Sequence, residues 1–357
     1  MAWSRIVGHE AVIDRFRQAL ERGRLSHAYL FVGAHGIGKE LVARELAKAV
    51  QCASGPAEAC DHCPVCQRVE HGNHPDVAFV RRVERGAKGE RRAQILVEQV
   101  RDEIQNPIAY KPFAGRYKVF VIVDAERMTE EAQNCLLKTL EEPPPYSLLI
   151  LLASRLEPLV DTVISRCQIV RFRPLTHEQT ERILADGHAV EAGQARALAR
   201  LAEGSPGLAL HLLADGAHDT ARWLLGELAA GKPGGEFLTA AELLEKGREQ
   251  GGTLEDARDR LRPVLDLLGL AWRDLFIRAS GYGEGLLTWG DSCEALAALG
   301  EGLPAGAARR LAALALEARN RLDANANIKL LLETLLLETG ALLRTGRRHQ
   351  ESLARST

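Results

Sequence analysis

Apolar residues follow two rhythms along the chain, and the change of rhythm divides it. In the first half, short apolar runs, "AYLFVG" (28–33), "KVFVIVD" (118–124) and "SLLILLAS" (147–154), alternate with segments of helical period, "KELVARELAKAV" (39–50) and "EEAQNCLLKTLEE" (130–142). Runs that are apolar throughout predict strands covered on both faces, and the amphipathic segments between them predict the covering helices. The expected fold is an α/β domain with a parallel sheet, over 1–173. After "CQIVRFRPL" (167–175) the strand signals stop. Pro174 makes a break, and Thr176 and Gln179 stand in capping-box spacing at the start of a small helical unit, 174–217. Helical periodicity then recurs through 219–231, 236–249, 254–280, 291–299, 305–322 and 325–345, between Gly-rich breaks such as "GKPGG" and "EQGG". A third, all-α domain is expected over 218–357. Its tail, "RTGRRHQESLARST", lacks an apolar period and is expected to fray.

Length and composition fit this division. A chain of 357 residues exceeds one ordinary core, and 46% hydrophobic with 26% charged residues suits a helix-rich globular protein. The net charge of -2 argues against tight sequence-independent binding to nucleic acid by the chain alone. The Leu-rich run "IKLLLETLLLETGALL" is broken by Glu333 and Glu338, so no membrane span is expected, and "MAWSRIVGHE" shows no export signal. Seven cysteines in such a chain imply a reducing, cytoplasmic setting.

Two motifs carry candidate chemistry. Gly33, Gly36, Gly38 and Lys39 of "GAHGIGKE" follow a predicted strand and open a predicted helix, the context in which backbone N–H groups hold phosphates. Glu40 stands where a Mg²⁺-binding Ser or Thr is needed. On the strand ending at Asp124, the place of a water-activating Glu is taken by Ala125, and Glu126 is one residue late, which is expected to turn it toward another face. ATP binding should be impaired and hydrolysis absent, with the loop kept for its shape. The rival expectation is an active ATPase that tolerates Glu40 and uses Glu126. The second motif is Cys52, Cys60, Cys63 and Cys66, whose short spacing suits tetrahedral, structural Zn²⁺. His62, His71 and His74 are expected to be surface or capping residues. The basic run "RRVERGAKGERR" (81–92) reads as a solvated loop. A stand-alone zinc-containing nucleic-acid-binding protein is the remaining alternative.

Together these pieces resemble the clamp-loader branch of the AAA+ family, with its P-loop NTPase-like fold. The resemblance rests on "IVGHEAV", "SHAYLFVG", the four-cysteine module at about 52–66, "GNHPDV" (72–77), "CLLKTLEEPP" (135–144), "ISRC" (164–167), "EGSPGLAL" (203–210) and "NANIKLLLETLLL" (325–337). Hydrolysing subunits of that family carry Lys-Thr in the loop, Asp-Glu on the second strand and an Arg in the lid helix. This chain has Lys39-Glu40, Asp124-Ala125 and Gly207-Leu208-Ala209, so the resemblance implies a non-hydrolysing subunit. It further implies that Arg166 of "SRC" is an arginine finger supplied in trans to a neighbour's ATP. A helical lid, an oligomerising collar, gamma/tau and delta subunits as partners in a hetero-oligomer, and a sliding clamp and primed DNA reached through the complex are also implied.

Overall fold

A five-stranded, wholly parallel sheet forms in the first half of the computed structural model, in the order β2-β3-β4-β1-β5. Along the chain the elements are α1 (Glu10–Glu21), β1 (Ala28–Val32), α2 (Lys39–Gln51), α3 (Pro64–Glu70), β2 (Val77–Val80), α4 (Val97–Val100), a π turn (Arg101–Gln105), α5 (Asn106–Ile108), β3 (Lys118–Ile122), α6 (Glu130–Glu141), β4 (Ser147–Ala153), α7 (Asp161–Ile164) and β5 (Gln168–Arg171). All-helical structure follows: α8 (His177–His188), α9 (Ala192–Leu201), α10 (Pro206–Ala214), α11 (Ala217–Ala230), α12 (Glu236–Arg248), α13 (Leu254–Ala279), α14 (Glu294–Gly300), α15 (Ala305–Asp323) and α16 (Ile328–Ala354). The structure describes residues 2–55, 58–82, 94–190, 192–232, 234–248, 253–283, 286–289, 293–324 and 326–354.

Residues 1–179 with 204–207 form one compact unit, and 180–203 with 208–357 form another. In the first unit β1, β3 and β4 are buried along their whole length, as continuous apolar runs require. Alternation then sends Ala28, Leu30 and Val32 into a core with Leu136, Leu149 and Leu151, while Tyr29 and Phe31 meet Phe16 and, from Phe31, Phe172. In the second unit Leu, Ala and Trp side chains from α9 to α16 share one core, with Trp272 and Trp289 both 1% exposed. Asp274, also buried, accepts the backbone N–H groups of Thr288 and Trp289 and so pins the chain after α13.

Two local expectations change. β2, "VAFV", went unpredicted because four residues before a charged run give too little period to read. The last helix runs on to Ala354, nine residues past its predicted end. Arg, Gln, Glu, Leu and Ala are good helix formers, and extending an existing helix needs no new nucleus. The predicted capping box is real: Gln179 N–H donates to Thr176 Oγ1 at 3.1 Å, and Thr176 N–H to Gln179 Oε1 at 2.9 Å. Residues 83–92 of the basic run lie outside the described residues. No described helix is long and apolar enough to cross a membrane.

Candidate functional site

Parallel strands put all their C-terminal ends along one edge of the sheet, which brings the loop after β1 beside Asp124 after β3. The loop glycines are required by backbone geometry alone. Gly38 has φ +101°, a Cβ on Gly33 would lie 2.6 Å from the Phe172 carbonyl oxygen, and one on Gly207 would lie 2.7 Å from Gly36 Cα. Every carbonyl from Gly33 to Ile37 accepts a hydrogen bond from the protein. Lys39 Nζ folds back onto those of Gly33 and Ala34, the latter at 2.7 Å. Ser205 Oγ donates to His35 O and Gly207 N–H to Gly36 O, both at 2.8 Å, and His9 Nε2 to Ile37 O at 2.7 Å. Burial lowers the Lys39 ammonium below its ordinary value. Glu40 is paired with Arg44 at 3.0 Å and Arg81 at 2.5 Å, so its charge is largely met within the protein.

Glu126 does not turn away as its late position suggests. Asp124 adopts the left-handed conformation (φ +56°), which carbonyl-bearing side chains tolerate, and residues 125–127 tighten into a 3-10 turn. Side-chain ligand atoms of His35, Asp124 and Glu126 then lie within 4.8 Å of one another. The group is largely committed internally, although Glu126 Oε2 is buried without a hydrogen-bond partner. Glu126 Oε1 accepts the Ser154 N–H at 3.1 Å and the Ser154 hydroxyl, and His35 Nε2 stands 3.1 Å from Asp124. Asp124 raises the His35 imidazole and is itself lowered by it, favouring an imidazolium–carboxylate pair beside the loop.

The opposite, N-terminal edge of the sheet holds the cysteine module and Arg166. Cys52 follows the last turn of α2, and Cys63 caps the N-terminus of α3, its Sγ accepting the Cys66 N–H at 3.4 Å. All four sulfurs lie within 4.8 Å of one another, Cys52 and Cys60 at 3.6 Å, and none forms a disulfide. A tetrahedron with Zn–S bonds of about 2.3 Å needs S···S separations of roughly 3.8 Å, so the donor set fits a closed zinc site. The Ser54 hydroxyl helps hold the Cys60 thiol down to about 5, whereas burial pushes Cys66 up, a penalty a bound cation would reverse. The three histidines stay outside this set. His62 and His71 bond nearby carbonyls, while His74, expected as a surface or capping residue, is buried and accepts the Asp76 N–H through Nδ1 at 3.1 Å.

An ion cluster centred on the buried Lys48 and Glu45 braces the module. Lys48, 2% exposed, lies 3.1 Å from both Glu45 and Asp61 and pairs with Glu70, while Arg5 pairs with Glu45 and, at 3.2 Å, with Glu70. Burial opposes ionisation of Glu70, yet the Lys48 and Arg5 hydrogen bonds hold its carboxyl down to about 2. These partners, up to 65 residues apart, had no signal in the sequence.

Arg166 follows α7 and precedes β5, whose first residue Gln168 is in register with Tyr29 near the start of β1. Its guanidinium donates to Thr162 O at 3.0 Å and pairs with Glu141, at the end of α6, at 2.6 Å. Both partners are solvent-facing, so the group is lightly tethered. One strand length, roughly 15 Å for four to five residues, separates this edge from the loop's edge.

Residues 8–176 match the family model described as DNA polymerase III, delta subunit. Over 190 residues the chain is 37% identical to DNA polymerase III subunit delta' of Bacillus subtilis, covering 53% of this chain and 55% of that protein. Over 206 residues it is 35% identical to DNA polymerase III subunit tau of Escherichia coli, covering 56% of this chain and 30% of that protein. The chain thus spans about half or less of the length of these relatives, and the matches include delta', tau and gamma subunits alike. A DNA polymerase III gamma subunit-related protein from Thermotoga maritima aligns over 93% of this chain and 99% of its own, at 17% identity and a TM-score of 0.43.

Proposed function

We propose that the chain is a non-hydrolysing clamp-loader subunit of DNA polymerase III, of the delta prime kind. It acts in a hetero-oligomer with gamma/tau and delta subunits that loads a sliding clamp onto primed DNA. Its AAA+ domain (1–173), lid (174–217) and collar (218–357) serve assembly and motion, and Cys52, Cys60, Cys63 and Cys66 hold a structural zinc. The relatives' names support the complex; the choice of subunit rests on residues.

The observation that carries it is the opposition of the two edges. Gly33, Gly36, Gly38 and Lys39 keep a phosphate loop's shape, but Lys39 is folded onto the loop, Glu40 is ion-paired and Glu126 is bound to Ser154. Arg166 precedes β5 at the other end of the strands, beyond reach of its own loop and open to a neighbour. A guanidinium placed there can stabilise charge on a phosphoryl group held by another subunit.

The test is assembly with gamma/tau and delta subunits followed by ATP turnover. The isolated chain should show none, and Arg166→Ala should assemble normally yet depress DNA-stimulated turnover. Mg²⁺-ATP hydrolysis by the isolated chain, or wild-type turnover by the assembled variant, overturns this reading.

A further inference from the structure

The loop after β1 and the turn after β3 bring together a second set of metal-ligating side chains, of different chemistry from the cysteines. Ligand atoms of His35, Asp124 and Glu126 lie within 4.8 Å of one another, with His35 Nε2 at 3.1 Å from Asp124 Oδ1. Around an octahedral ion with bonds of about 2.1 Å, adjacent ligands stand roughly 3.0 Å apart and opposite ones roughly 4.2 Å, so these three side chains need only small adjustments to close on one cation. Glu126 Oε1 accepts both bonds from Ser154, whereas Oε2 is buried with no hydrogen-bond partner. A carboxylate oxygen left so is costly, and a bound ion or water is the usual reason that one persists. Among the described residues no Lys or Arg forms an ion pair with Asp124 or Glu126, and Lys39 Nζ is held instead by the Gly33 and Ala34 carbonyls. The His35 side chain is largely exposed and Asp124 partly so, which leaves water free to fill the remaining coordination positions.

We propose that His35, Asp124 and Glu126 form a divalent-cation site that fills without nucleotide. The site goes beyond the function proposed above and does not depend on which subunit the chain is. One imidazole nitrogen and two carboxylates suit Mn²⁺, Fe²⁺ or Zn²⁺, whereas the four thiols at the other edge of the sheet select softer coordination. The ion joins the loop after β1 to the turn after β3 and so fixes the loop's shape, with no phosphate and no Ser or Thr hydroxyl taking part. It replaces the proton that otherwise holds His35 to Asp124, and that proton leaves to solvent. Such a cation is a strut within the domain, distinct from a metal delivered with a triphosphate.

The experiment titrates Mn²⁺ into the nucleotide-free full chain, supplied beforehand with one equivalent of zinc, and reads free Mn²⁺ by electron paramagnetic resonance. Mn²⁺ prefers nitrogen and oxygen donors to thiolates, so the two sites are read apart. One ion per chain should bind, and the melting temperature should rise by about 5 °C at roughly 100 times Kd. His35→Ala, Asp124→Asn and Glu126→Gln should each weaken binding about tenfold or more, with zinc content unchanged. Glu126→Gln can still accept the Ser154 N–H, so the turn itself is kept. Glu131→Gln, at an exposed carboxylate on α6, should leave binding as it is. Absence of stoichiometric binding overturns the proposal, and so does binding that all three ligand variants retain, which would belong to scattered surface carboxylates. An ion that binds only after ATP is added is carried by the nucleotide and likewise overturns it.

Discussion

At the C-terminal edge of the sheet, five loop carbonyls, Lys39, Glu40 and Glu126 are engaged by the protein itself. At the N-terminal edge, the Arg166 guanidinium is tethered only to solvent-facing partners. The same strands serve both. A parallel sheet normally concentrates chemistry at its C-terminal edge. On the reading proposed above, that edge serves a structural role in this chain, and the group that acts on another molecule, Arg166, stands at the other end. The proposed silence of one edge and the proposed action of the other are separable in one domain, and substitutions should separate them.

The largest effect belongs to Arg166. Arg166→Lys keeps the charge but loses the planar fork, so turnover at the neighbour's site should fall by about 10³-fold, nearly as far as with Arg166→Ala. Single-turnover ATP hydrolysis by the assembled complex measures this. Stability should barely change, because the Glu141 carboxylate it gives up is half in solvent and the Arg166 guanidinium only partly buried. Full rescue by Lys would mean that a positive charge alone suffices, and the N-terminal edge would lose its claim to geometric catalysis.

Next comes the proposed zinc. Cys66→Ser replaces a buried sulfur in a four-thiol set, and loss of a structural metal should cost about 4 kcal/mol or more, read as a lower melting temperature together with zinc content falling from one per chain. The ion cluster of Arg5, Glu45, Lys48, Asp61 and Glu70 should keep α2 and α3 packed, so circular dichroism should show little loss of helix.

How much of this was open to reading follows from range along the chain. The strands β1, β3, β4 and β5, the cysteine spacing, the capping box at Thr176 and the loop glycines are local patterns within about 15 residues, and they were legible. Asp76 reaching Phe113, Gln51 reaching Tyr117 and Arg5 reaching Glu70 are tertiary pairings between polar residues, and no periodicity marks them. Glu126 shows the intermediate case. Its offset from Asp124 was visible, but the left-handed turn that restores its approach depends on backbone angles that one Asp permits and does not dictate.

The bracing at the N-terminal edge has a pH signature. Glu70 titrates near 4.5 when unfolded and is held to about 2 when folded, so the folded state binds fewer protons between those values. The contribution is complete above about pH 4.5 and is lost as pH falls toward 2. Because the carboxylate is partly exposed, solvent screening reduces it to about 1 kcal/mol. Urea unfolding of wild type and Glu70→Gln at pH 6 and pH 3 should show the gap between them closing at the lower pH. A gap that stays constant would mean that Glu70 contributes by packing alone.

The smallest effect tests the other edge. Glu40→Thr restores the hydroxyl that metal-bound nucleotide needs, and it removes a partly buried pair with Arg44, a more exposed one with Arg81 and a favourable charge in the first turn of α2. Stability should fall by only about 0.5–1 kcal/mol. ATP turnover by the isolated chain should remain absent, because Ala125 still offers no base, Glu126 is still taken by Ser154 and Lys39 still faces the loop's own carbonyls. If this one substitution restores turnover, the C-terminal edge is a site blocked by a single side chain, and the contrast between the edges reduces to one residue. If turnover stays absent while thermal stability responds as expected, the silence of that edge is distributed over Lys39, Ala125 and Glu126, and no single reversion can undo it.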